Sequence, residues 1–248
     1  MNMKLGIQLY SVRDRLDADF AGTLLALRDM GFEGVEFAWN YGKMDPKALA
    51  GFLTTNGLTC CGLHTSTEEL LNTGSLSYQY ATLLHTPGIT TSYCGANQIA
   101  NWPESIKLLE ECGRVAASLG LRFTYHNHAP ELAVQNGTTL LDALYAATDP
   151  ANVYAELDTA WVLAGGADPL AYIRRYAGRL PQLHAKDYNL EKKQLVEIGR
   201  GSLDFKAIAA AAKKAGTEWL IYELDASTIG DSLASARESA AILRPLVA

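Results

Sequence analysis

Four short stretches of this chain carry ionisable side chains two residues apart where an apolar run comes to its end: His126 and His128, Glu156 and Asp158, His184 and Lys186, Glu223 and Asp225. In an extended strand, residues two apart share a face. Val153, Ala155 and Leu157 therefore oppose Tyr154, Glu156 and Asp158. The same rule sets Leu183 and Ala185 against Gln182, His184 and Lys186, and Leu220, Tyr222 and Leu224 against Ile221, Glu223 and Asp225. Phe123 and Tyr125 likewise oppose Thr124, His126 and His128. If the apolar faces meet a helical layer, the polar faces point inward, where an unpaired charge is costly. Asp158, His184 and Glu223 are thus expected to converge on a divalent cation. Mixed carboxylate and imidazole ligands suit manganese, cobalt, magnesium or zinc. Such an ion can polarise a carbonyl and hold a vicinal hydroxyl.

Other residues gather round the same place. His64 ends the third strand on the face of Cys60 and Gly62 and, with inward-facing Gln8 and Glu36, is expected to contact substrate. His128 and Glu131 lie just beyond the fifth strand; His128 is a candidate substrate contact. Glu131 is a candidate general base, with loop capping as its alternative. Lys186 can reach a developing oxyanion, and Glu156, one layer deeper than Asp158, can orient a ligand. Arg200, flanked by glycines in IGRGSLDF, is a candidate clasp for a substrate hydroxyl or phosphate. Trp39 and Trp161 are candidate apolar walls, and His85 belongs on a surface helix.

The elements that must hold these residues alternate along the chain. Strands are expected at Lys4–Tyr10, Gly34–Ala38, Leu58–His64, Ile89–Tyr93, Leu121–Asn127, Val153–Asp158, Leu180–Lys186 and Trp219–Leu224. Between them run helical stretches: Asp17–Met30, one opened by Asp45-Pro46, Ser75–His85, Trp102–Leu119, Thr138–Ala147, Asp168–Ala177, Ser202–Ala215 and Asp231–Leu243. Strand–helix alternation calls for a parallel sheet with helical crossovers. The first turn, Tyr10-Ser11-Val12-Arg13, lacks the glycines of a doubly wound nucleotide fold. A single (β/α)8 barrel over residues 1–248, near the usual length of about 250, is the expectation.

Composition bounds the partners. With 48% hydrophobic and 19% charged residues and a net charge of −6, the composition is that of an ordinary soluble chain with one sizeable core and offers no basic face for nucleic acid. The opening MNMKLGIQLYSVRDRLD lacks a signal-peptide core, and no stretch approaches a membrane span. Cys60, Cys61, Cys94 and Cys112 show no CxxC spacing and are expected as reduced thiols in the cytoplasm.

Five segments together resemble the xylose isomerase-like TIM-barrel family: the opening MKLGIQLYSVRDRL…TLLALRDMGFEGVEFA, YHNHAPEL, ELDTAWVLAGGADP, LHAKD and YELD. The family includes sugar epimerases, hydroxypyruvate isomerase, inosose dehydratase and endonuclease IV-type enzymes. The resemblance runs through nearly the whole chain and is weakest from Leu70 to Ala100. It implies metal ligation by Glu, Asp, His and Glu from successive strand ends. The last three fall on Asp158, His184 and Glu223; the first falls on His126, and Trp161 replaces a histidine common three residues after the aspartate. Only Glu223 then remains of the glutamate pair that shuttles protons in ketose 3-epimerases.

The expected function is a metal-dependent isomerase or epimerase of a sugar or keto-sugar, with Glu223 relaying a proton through an enediolate. The alternative is a lyase or dehydratase of an oxidised sugar or inositol. A non-catalytic sugar-binding barrel and an endonuclease IV-like enzyme stand further back, and association into a homo-oligomer is left open.

Overall fold

Helix starts in this chain are written in carboxylates. Asp45 accepts the backbone N–H groups of Lys47 and Ala48, Asp168 that of Leu170, Asp204 that of Ala207, and Asp231 those of Leu233 and Ala234. Each satisfies donors that the first helical turn leaves without partners. The helix expected over Asp17–Met30 is found at Phe20–Asp29, where Asp19 accepts from Gly22 N and sets its start, and a short helical turn at Arg13–Leu16 precedes it.

The structure, a computed structural model, describes residues 2–92 and 95–248. Tyr93, expected at the end of the fourth strand, and Cys94 lie outside the described residues. Eight parallel strands close a barrel: β1 Lys4–Gln8, β2 Gly34–Ala38, β3 Thr59–His64, β4 Gly88–Thr91, β5 Arg122–His126, β6 Val153–Asp158, β7 Gln182–Ala185 and β8 Trp219–Tyr222. Sequence neighbours pair in space, and β1 closes the ring on β8. Lys186 and Glu223 each sit one residue past a strand end, at the C-terminal rim where barrels of this kind carry their chemistry. Two small hairpins were not foreseen, Val134–Gln135 with Thr138–Thr139, and Asp187–Asn189 with Gln194–Val196. Among the described residues, no helix is long and apolar enough to cross a membrane.

The outward strand faces behave as the alternation requires. Val153, Ala155, Leu157, Leu183, Ala185, Leu220 and Tyr222 are buried in one apolar core shared with the helices. The inward face is graded along the barrel axis. At the N-terminal end Cys61, Trp219 and Ile221 form a separate apolar plug. Gly34 makes room for it, since a β-carbon there would lie 2.6 Å from the Trp219 ring. One expectation fails here. Cys60 does not share the inward face of Gly62 and His64, because β3 bulges against β2: Val35 pairs with Cys60 and Glu36 with Gly62, leaving Cys61 as the extra residue. The bulge turns Cys60 out into the main core and Cys61 into the plug. Cys60, Cys61 and Cys112 are free thiols.

Candidate metal centre and active site

Above the plug, the barrel interior turns polar in two tiers. The lower tier holds Gln8, Glu36, Glu156 and Gln182, all buried. Gln8 Nε2 donates to Glu36 Oε2 at 2.8 Å, and Gln182 Nε2 donates to Glu36 Oε1 at 3.2 Å. Thr90 Oγ1 donates to Glu156 Oε2 at 3.2 Å. Neither glutamate meets a lysine or arginine; their counter-charges are imidazoles. His64 Nε2 lies 2.8 Å from Glu156 Oε1 and 3.2 Å from Glu36 Oε2. His184 Nε2 lies 2.7 Å from Glu36 Oε2 and 3.1 Å from Glu156 Oε1, while His126 Nδ1 lies 3.2 Å from Glu156 Oε1. Burial works against a charged His64, yet Glu36 and Glu156 lift its pKa to about 10.

The upper tier is the set anticipated from strand alternation. Parallel pairing puts Asp158 beside His184 and His126 beside Glu156. The ligand atoms of His126, Asp158, His184 and Glu223 all lie within 4.8 Å of one another. His184 Nδ1 is 2.9 Å from Glu223 Oε2. Asp158 Oδ1 accepts from Trp161 N at 2.9 Å as a helix cap, and Asn127 Oδ1 accepts from Asp158 N at 3.0 Å, so the carboxylate is fixed. Its Oδ2 is buried without a hydrogen bond; Lys186 Nζ lies 3.5 Å from it and the His126 ring, through Nε2, 3.8 Å.

Electrostatics sorts these groups. Burial pushes Asp158 up to about 7, against the pull of Lys186. Burial opposes the charge of Glu223 too, but Lys186 and His184 hold it well below the usual carboxylate range. Burial, reinforced by His184, drives His126 well below the ordinary imidazole value. His184 rises well above it: burial disfavours its charge, and Glu156, Glu36 and Glu223 overcome that.

A divalent cation fits the upper tier. It would take the unpartnered oxygen of Asp158, His126 Nε2, His184 Nδ1 and Glu223, leaving His126 Nδ1–H for Glu156 and His184 Nε2–H for Glu36. That is the carboxylate–histidine–metal arrangement that fixes a ligand's tautomer. The lower group, His64, His126, Glu156 and His184, also meets the spacing for a cation. There, however, three imidazole nitrogens crowd one oxygen, Glu156 Oε1, at hydrogen-bond distance. The charges also favour one cation above. Four buried carboxylates (Glu36, Glu156, Asp158 and Glu223) face one buried lysine, and a divalent ion with one imidazolium balances the remainder.

The other expected residues divide. A cavity of about 270 Å³ opens onto the tier, lined by Gln8, His64, His126, His128, Lys186 and Glu223, with Tyr10, Trp39, Ser92 and Asp225. Larger clefts exist among the outer helices, one of about 690 Å³ near Tyr145 and Arg179, but no metal-ligand cluster lies there among the described residues. Lys186 Nζ pairs with Asp225 at 2.7 Å and Glu223 at 2.9 Å, and lies 5.2 Å from the Trp161 ring. Trp161 packs against His128 rather than lining the cavity.

Three further assignments are corrected. Glu36 is wholly buried beneath the cavity, outside its lining, and meets His184 Nε2 at 2.7 Å instead. Glu131 turns back to accept His128 N at 3.1 Å and the Tyr125 hydroxyl at 2.8 Å. The Ala129–Leu132 turn makes it a cap that positions His128, and burial lifts its pKa to about 7. Arg200 points away from the cavity to Glu238, 2.6 Å distant, because Asp187 accepts Gly199 N and Gly201 N and curls the loop outward. Tyr10 was missed; its place at the C-terminal end of the expected first strand was the available signal.

A family model described as a xylose isomerase-like TIM barrel matches residues 77–246. The inosose dehydratase of Geobacillus kaustophilus (strain HTA426) is 33% identical over 107 residues, 43% of this chain and 33% of that protein. That of Clostridium tetani (strain Massachusetts / E88) is 30% identical over 142 residues, 50% of this chain and 47% of that protein. The chain thus matches between a third and about half the length of these relatives. A sugar phosphate isomerase/epimerase from Parabacteroides distasonis ATCC 8503 superposes with a TM-score of 0.84 at 19% identity, covering 100% of this chain and 96% of that one. The IOLI protein, solved with a zinc atom, superposes at 0.76 with 14% identity, covering 99% and 98%. At such identities the superpositions speak for the fold alone.

Proposed function

This chain belongs to the xylose isomerase-like TIM-barrel family, and from that premise we propose that it is a divalent-metal-dependent enzyme acting beside the carbonyl of a keto-sugar or keto-cyclitol. The observation that carries the reading is the gathering of four buried ligand residues, His126, Asp158, His184 and Glu223, with Asp158 Oδ2 free of any hydrogen bond, beneath an open cavity that His126 and Glu223 line. A bound cation would supply Lewis-acid polarisation of the carbonyl and hold a neighbouring oxygen.

The chain's own residues then divide the proton work. His128 lines the cavity, and burial with help from Lys186 lowers it to about 4; its ring is neutral near pH 7 but weakly basic, so it could take a carbon-bound proton only where a bound cation had acidified that C–H. Lys186 and His64, both lining the cavity, are held charged by their carboxylates and can donate. A neutral base beside two cationic donors suits dehydration: the C–H and C–O bonds break, a C=C bond forms, and the departing hydroxyl takes a proton from Lys186 or His64. Epimerisation would instead need a second base facing the other side of the carbon. Together with the relatives named inosose dehydratase, this favours the lyase reading over the isomerase expected from sequence.

The test is to incubate Mn²⁺- or Zn²⁺-loaded protein with inosose and with ketohexoses in D₂O and read products by mass. Loss of water supports dehydration. Deuterium uptake without that loss returns the reading to isomerisation. Neither event with any of these substrates sinks the enzymatic account.

A further inference from the structure

The cavity has a polar floor and an aromatic rim, and the rim is built at a cost. Trp39 is 60% exposed and Tyr10 39% exposed, yet both line the same cavity as His64, His126 and Glu223. Trp39 adopts φ +59°, a left-handed conformation that a bulky side chain seldom takes. Lys43, His85, Asn136 and Lys193, the other described non-glycine residues with positive φ, do not line this cavity. An indole so exposed recovers little of that strain by burial in the fold. Its flanks enforce it: Ala38 pairs with His64 across β2 and β3, and Asn40 holds Gly42 N through Oδ1 and Asp17 through Nδ2. Tyr10 is likewise fixed. The Arg13 guanidinium lies 3.9 Å from its ring centroid and donates to the backbone oxygens of Tyr10 and Asp225 at 2.7 and 2.8 Å. Asp225 in turn pairs with Lys186, tying the rim to the catalytic edge.

Strain that is over-determined by its surroundings and unrewarded by packing marks a functional position. We propose that Trp39 and Tyr10 form a second subsite, a shelf for the flat face of a ring attached to the ring that reacts, so that the preferred substrate has two rings. This rests on the proposed function, since the inner ring is the one held at the metal centre. Aromatic faces bind the apolar face of a second pyranose or an aromatic ring, while the carboxylate and imidazole floor takes the oxygen-rich part.

The experiment titrates the Mn²⁺-loaded full chain with phenyl β-D-glucopyranoside, cellobiose and D-glucose and reads tryptophan emission. Trp102 and Trp219 are buried, but half-buried Trp161 packs against His128 beside the cavity, so emission is read in a Trp161→Phe background, where changes at the mouth report chiefly on Trp39. The two-ring compounds are expected to bind about tenfold tighter than glucose, a difference of about 1.4 kcal/mol. Their relative order distinguishes an aromatic from a sugar outer ring. Trp39→Gly, measured by calorimetry, should bring the ratio near one and raise the melting temperature, while Mn²⁺ affinity measured on the same sample shows that the centre persists; Trp39→Phe should restore most of the ratio. Equal binding of one- and two-ring compounds, no binding of any, or a preference that survives Trp39→Gly overturns the shelf. None of these touches the D₂O test, and failure of that test with the preference intact removes the chemistry while keeping the shelf.

Discussion

The two ends of the barrel interior are built from the same eight strands and could hardly differ more. At the N-terminal end, Cys61, Trp219 and Ile221 fill space left by Gly34 and make an apolar plug. At the C-terminal end, carboxylates, imidazoles and a lysine are buried at the expense of their hydration. The plug contributes to stability by removing apolar surface from water. The mouth draws stability down, because each charge there is tolerated only through a partner. One end of this fold is selected for holding together, the other for what it can bind.

Removing the plug should therefore have the largest effect on stability and none on the site. Trp219→Ala is expected to cost about 3–5 kcal/mol in denaturant unfolding, with metal affinity unchanged in whatever fraction remains folded. A loss of metal affinity in step with stability would erase the distinction between the two ends. Next comes pH. Glu131 has an ordinary carboxyl pKa when unfolded and about 7 when folded, so between those values the folded state holds the extra proton. Stability from this group is full below the unfolded value, falls as pH rises, and levels off above about 7. Relative to wild type, Glu131→Gln should flatten that decline, by up to about 3 kcal/mol. Parallel pH–stability curves for the two proteins would contradict the assignment. Smallest is Glu36→Gln, which keeps the shape of the lower tier but weakens the acceptor for His184 Nε2–H. It should lower metal affinity roughly 10–100-fold, read by competition with a chelator. No change would mean that Glu36 does not orient His184.

How much of this was legible in the sequence follows the same division. Two-residue alternation was enough to bring Asp158, His184 and Glu223 together, because side chains in a strand alternate without exception until a bulge intervenes. Where one does, in β3, the reading slipped by a residue and exchanged Cys60 for Cys61. Glu36 was correctly turned inward, but alternation gives a face and not a depth, so its position under the cavity was hidden. Glu131 and Arg200 lie on loops whose paths are set by backbone hydrogen bonds to His128 and Asp187. No periodicity encodes those paths. The turn at Arg13–Leu16 and the two hairpins were missed for a related reason, since elements of two to four residues are too short to show a period.

His126, Asp158, His184 and Glu223 are proposed to hold one divalent cation between them. Calorimetric titration of chelator-treated protein with Mn²⁺ or Zn²⁺, in two buffers of different ionisation enthalpy, tests this directly. One ion per chain is expected, with protons released as His184 gives up Nδ1–H and binding lost in Asp158→Ala. Absence of binding, or a titration that Asp158→Ala leaves unaltered, would contradict a shared site.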